Sequence, residues 1–96
     1  NNPVGVFQIT KPSYSWDNDS YTQPASENLI IYELLVRDFV ETHDYQTLID
    51  SLSYLSNLGI NVIELMPVNQ FEGNISWGYN PAFYFAPDKY YGPEAD

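Results

Sequence analysis

The chain has 96 residues, 44% of them apolar, which suits one small globular domain and argues against disorder. Thirteen acidic residues against three basic ones give a net charge of −10, a balance that repels a phosphate backbone and speaks against nucleic-acid binding. There is no cysteine for a disulfide or thiolate metal site, and no apolar run approaches the ~18 residues of a membrane-spanning helix.

Residues 1–28 carry Pro, Ser, Asn and Asp with little periodicity and read as a linker or lead-in from an upstream module. Within them Phe7 to Thr10 has the composition of a short strand. Asp17-Asn18-Asp19 begins like a calcium loop but lacks the glycine and distal glutamate, so a solvated turn is expected and no metal. Leu29 to Val36, LIIYELLV, is apolar except for Glu33, the pattern of a parallel strand buried on both faces. Tyr45, Leu48, Ile49, Leu52 and Leu55 then fall on one side of a helix, which Asp44 caps and Gly59 ends. A second apolar run, Val62 to Met66, stops at Pro67. The unit is strand, helix, strand, a right-handed crossover of an α/β fold.

Such a unit leaves a sheet face and both edges uncovered, so further strands and helices must complete it. Alternation places Ile30, Tyr32, Leu34 and Val36 toward the helices and Glu33 on the other side. In the second run Glu64 points the same way as Glu33. A doubly wound sheet would bury both carboxylates under helices, whereas a barrel directs them inward to partners from later strands. The first βαβ portion of a (β/α)8 barrel, incomplete in this chain, is therefore expected. Two carboxylates ~5 Å apart can serve as acid and nucleophile, but barrel chemistry lies beyond the C-terminal strand ends. Glu33 and Glu64 lie within the strands, which favours a structural role.

A long excursion from Val68 to Pro93 follows the second strand and contains SWGYNPAFYFAPDKYYG at 76–92. Excursions of this length inside a compact fold are usually functional. Gly78, between Trp77 and Tyr79, lets the backbone turn tightly and present a ring, and aromatic faces at a mouth suit carbohydrate. Phe83, Phe85, Tyr90 and Tyr91 are expected to form a satellite core under the excursion. His43, the one histidine, reads as a loop residue. Pro93-Glu94-Ala95-Asp96 resembles the first turn of a helix, so the chain reads as a fragment.

YELLVRDF at 32–39, LGINVIELMPV at 58–68 and SWGYNPAFYFAPDKYYGPEAD at 76–96 resemble the α-amylase superfamily, glycoside hydrolase family 13, in the order in which that family carries them. The resemblance covers residues 29–96 and implies a (β/α)8 barrel acting on α-linked glucans, without a cofactor. It also implies that Tyr79 stacks on the sugar next to the scissile bond; Trp77 and Asn80, the latter standing where many relatives carry Asp, are the further candidate substrate-binding residues. The family's catalytic Asp, Glu and Asp follow its fourth, fifth and seventh strands, and its Asn-His pair follows the third. None of those segments is present, so the resemblance implies one wall of a sugar site, no catalytic residue in this chain, and the remainder of the barrel as its partner. A small non-catalytic carbohydrate-binding module using Trp77 and Tyr79 is the alternative. The strand-helix-strand pattern weighs against it, since modules of that size are mostly antiparallel sandwiches.

Overall fold

A computed structural model describes residues 9–10, 13–18 and 20–92. The strand expected at Phe7 to Thr10, the Asp17-Asn18-Asp19 turn and the helix start at Pro93 lie wholly or partly outside them. A short 3₁₀ turn, Ser26–Asn28, leads into β1, Ile31–Leu34. A one-turn helix α1, Val36–Phe39, follows, then α2, Tyr45–Asp50, and α3, Leu52–Asn57. After them come β2, Val62–Leu65, β3, Asn69–Phe71, and β4, Pro81–Pro87.

β1 and β2 are parallel neighbours, with Ile31 opposite Val62, Tyr32 opposite Ile63, Glu33 opposite Glu64 and Leu34 opposite Leu65. The Asn61 side chain fixes this register at its lower end. Its Oδ1 accepts from the Ile30 amide at 2.7 Å, and its Nδ2 donates to the Asn28 carbonyl at 2.8 Å. At the upper end the Met66 amide donates to the Leu34 carbonyl at 2.9 Å.

Two expectations about these elements change. The first strand stops at Leu34 instead of reaching Val36. The Asp38 and Phe39 amides both turn back to the Leu35 carbonyl at 3.0 Å, so the chain coils directly after Leu35. That turn buries Leu34, Leu35 and Val36 together, which an extended strand would divide between two faces. Ile31, Tyr32 and Glu33 are exposed, the uncovered sheet face expected of a strand-helix-strand unit on its own. The helix, finally, is two short helices joined at Ser51, whose hydroxyl donates to the Thr47 carbonyl at 2.8 Å and competes with the ladder. Leu48 and Leu55 are buried, while Ile49 and Leu52 from the same predicted stripe stay exposed.

The core joins β1, α1, α2, α3 and the later hairpin through Leu34, Leu35, Val36, Val40, Leu48, Leu55, Phe71 and Tyr91. Each leucine in that set contributes about 2 kcal/mol through burial. Gly59 adopts φ +88° at the C-terminal end of α3, the left-handed stop expected from its position.

Asp44 caps α2, accepting the Thr47 amide on Oδ1 at 2.7 Å. That bond, with the Thr42 hydroxyl, holds the Asp44 carboxyl below the ordinary aspartate range. A depressed folded value means that this stabilisation is complete above the ordinary aspartate pKa. It disappears as pH falls through the lower folded value. Asp44→Ala should therefore lower the melting temperature of the full-length protein at pH 7, with the difference shrinking in strong acid. Asp44→Asn, which keeps the accepting oxygen, should recover most of it. Calorimetry across pH would reveal an idle cap as coincident melting curves at pH 7.

Candidate functional site

Pro67 lies two residues past the end of β2, and the chain then enters an antiparallel hairpin, β3 with β4, bulged on both sides of Gln70. The excursion was expected to be a loop, and the hairpin inside it was not foreseen. Its base is closed by Asp88, a buried carboxylate. Asp88 Oδ1 accepts the Tyr90 amide at 2.9 Å, Oδ2 accepts the Phe71 amide at 3.4 Å, and the Asp88 amide donates to the Val68 carbonyl at 2.8 Å. The bond to the amide two residues ahead is an Asx turn. Asp88 was not singled out from sequence, although Asp before a tyrosine-glycine turn is the signal that would have found it.

The hairpin turns outward through residues 72–80, which carry Ser76-Trp77-Gly78-Tyr79-Asn80. Gly78 lies at φ +91°, and a Cβ there would stand 2.3 Å from the Pro67 carbonyl oxygen. The turn is thus pressed against the C-terminal end of β2 at a place where no side chain fits. Inside the turn the Gly78 amide donates to Ser76 Oγ at 2.9 Å, and the Ser76 hydroxyl donates to Asn80 Oδ1. From outside, Arg37 Nη1 donates to the Ser76 carbonyl at 3.2 Å. The same guanidinium meets Asp38 through Nε at 2.6 Å and Nη2 at 3.0 Å. That contact holds the Asp38 carboxyl below the usual range and raises the guanidinium pKa further.

Trp77 and Tyr79 are each 65% exposed, so both rings are presented rather than packed. The Tyr79 hydroxyl donates to Glu33 Oε1 at 3.5 Å, across 46 residues of sequence. Glu33 stands beside Glu64 on the same face of adjacent strands, about 4.8 Å apart, and both are exposed. Among the described residues Arg37–Asp38 is the one ion pair, and no group of three or more His, Asp or Glu side chains is arranged to hold a metal.

The satellite core is smaller than expected. Tyr91 is buried, packing edge-on against Tyr45 with ring centroids 6.1 Å apart and tilted against Phe71 at 6.4 Å. Phe83, Tyr90 and especially Phe85 are exposed, contrary to expectation. Among the described residues β4 pairs with β3 alone, and no further layer covers its faces. Phe71, not among the expected anchors, takes that role. Burial pushes the Tyr91 phenol pKa upward, the Asp88 charge adding to the effect, and its hydroxyl has no hydrogen-bond partner among the described residues. His43 is an exposed turn residue at φ +60°, as expected. A cavity of about 380 Å³ opens between Arg37, His43, Phe71, Asn74, Ile75 and Tyr91, with Trp77 and Tyr79 outside its lining.

No family model matches the chain. Its relatives are nonetheless specific. The malto-oligosyltrehalose trehalohydrolase of Saccharolobus solfataricus is 35% identical over 92% of this chain and 16% of its own length. The 1,4-alpha-glucan branching enzyme GlgB of Picrophilus torridus is 34% identical over 92% of this chain and 13% of its own length. A crystal structure from Salmonella typhimurium, of a protein provisionally named an alpha amylase, superposes with a TM-score of 0.77 at 38% identity. That match covers 83% of this chain and 14% of the other. The chain belongs to the α-amylase superfamily.

It corresponds to a small N-terminal part of these glycoside hydrolase family 13 proteins. The described architecture is an α/β fragment matching an α-amylase-type domain. What this superfamily segment holds together is one parallel strand pair with a paired-glutamate face, and a glycine-pinned turn carrying Trp77, Tyr79 and Asn80 at its C-terminal end.

Proposed function

We propose that this chain is the first strand-helix-strand portion of a (β/α)8 barrel in a retaining glycoside hydrolase or transglycosylase acting on α-linked glucans. In this reading residues 1–28 lead in from an upstream module, and the rest of the barrel is the partner that covers the open strand edges. Both relatives' names specify α-glucan or malto-oligosaccharide chemistry, which supports the substrate class.

The observation that carries the reading is the placement of the exposed Tyr79 ring. It stands at the C-terminal end of a parallel strand, where barrel enzymes build their sites, and Gly78 against Pro67 fixes its backbone. There the ring face packs on the C–H face of a sugar, with Trp77 extending the platform and Asn80 holding the turn. We assign no catalytic carboxylate to this chain. Glu33 and Glu64 sit within the strands, short of the C-terminal strand ends where barrel chemistry lies. The retaining reaction needs a nucleophile that forms a glycosyl-enzyme and an acid that protonates the leaving oxygen, both from other strands of the barrel.

The test is stereochemical. The full-length protein, given maltoheptaose and followed by proton NMR, should release the α-anomer first, while the 96-residue chain alone releases nothing. An initial β-anomer overturns the retaining assignment, and sugar release by the isolated chain overturns the placement of chemistry on other strands.

A further inference from the structure

We propose that Arg37 is a positioning residue for Tyr79, holding the turn that presents the ring to sugar; the inference rests on the sugar-stacking reading above. Arg37 is the second residue of α1, three positions past the end of β1, and Ser76 lies 39 residues away in sequence. Asp38 occupies Nε and Nη2 of the guanidinium, which fixes the plane of the fork and leaves Nη1 to meet the Ser76 carbonyl. A guanidinium can serve two acceptors in fixed directions at once, whereas an ammonium is a single point.

The contact acts at the root of the turn. Ser76 is the residue whose hydroxyl takes the Gly78 amide and bonds to Asn80, the two neighbours of Tyr79. Setting the Ser76 carbonyl therefore sets both flanks of the ring. The Arg37–Ser76 bond is also partly buried, which shields it from competing water. The turn is gripped on two sides, by the β2 end under Gly78 and by the β1 end through Arg37.

A double-mutant cycle in the full-length enzyme with maltoheptaose separates positioning from general structure. Arg37→Ala should lower kcat/KM about tenfold in the otherwise native enzyme, and by less than about twofold when Tyr79 is already alanine. Arg37→Lys, which keeps the charge but loses the fork, should lose most of the same factor. It carries the same cycle if the alanine variant does not fold. A factor that multiplies with that of Tyr79→Ala, or full activity in Arg37→Lys, overturns the inference while leaving the stacking reading intact. If Tyr79→Ala alone leaves kcat/KM unchanged, the stacking reading fails and this inference falls with it.

Discussion

Replacing Gly78 by alanine should lower kcat/KM of the full-length enzyme on maltoheptaose about 100-fold, the scale of an ångström's misplacement at a reacting centre. Two effects act together. The residue lies at φ +91°, where an L side chain costs about 1–2 kcal/mol, and its Cβ would stand 2.3 Å from the Pro67 carbonyl oxygen. That oxygen belongs to the backbone at the end of β2 and cannot rotate away as a side-chain tip would. The turn must lift, taking Trp77 and Tyr79 with it. Gly59→Ala provides the contrast, because φ is +88° but nothing lies within 4 Å. It should lose about 1 kcal/mol of stability and no activity. Kinetics and calorimetry on both variants make the comparison. A Gly78→Ala enzyme as active as the native one would mean that the turn does not depend on its seat against Pro67.

Tyr79→Ala should reduce kcat/KM about 30-fold, the equivalent of about 2 kcal/mol for an aromatic face covered by a sugar. The melting temperature should barely move, because the ring is 65% exposed and so contributes little to packing in the free protein. Tyr79→Phe should stay within about threefold of native. It removes only the hydroxyl contact to Glu33, which at 3.5 Å is long for an O–H···O bond. The pair of variants thus separates ring from hydroxyl. A large fall in melting temperature for Tyr79→Ala, with activity per folded molecule unchanged, would make the residue part of the packing instead.

The parallel pairing was legible because two apolar runs with a capped helical stripe between them leave few topologies. The matching positions of Glu33 and Glu64 followed from period-two alternation. The end of β1 was not legible. Leu34, Leu35 and Val36 are equally apolar whether extended or coiled, and hydrogen bonds to the Leu35 carbonyl decide between them. The division of the aromatic residues was read only in part. Glycine flanked by two large rings marked a presented ring, and Trp77 and Tyr79 both prove exposed. Which of the remaining rings became buried depended on a hairpin whose short, bulged β3 has no period to read. Phe71 and Tyr91 are buried because β3 and the turn after β4 fold back on the core, whereas Phe83 and Phe85 lie on a two-stranded ribbon that no other described element covers. Arg37 was passed over for the same reason. Its partner is a backbone carbonyl, and a carbonyl leaves no trace in residue identity.

The grip of Asn61 on Ile30 and Asn28 has a consequence for engineering the molecule. It moors the incoming polypeptide at the amino-terminal margin of the strands, opposite the margin where the Gly78 turn is seated against Pro67. Cargo grafted ahead of Asn28 would therefore join the scaffold at the margin away from that turn.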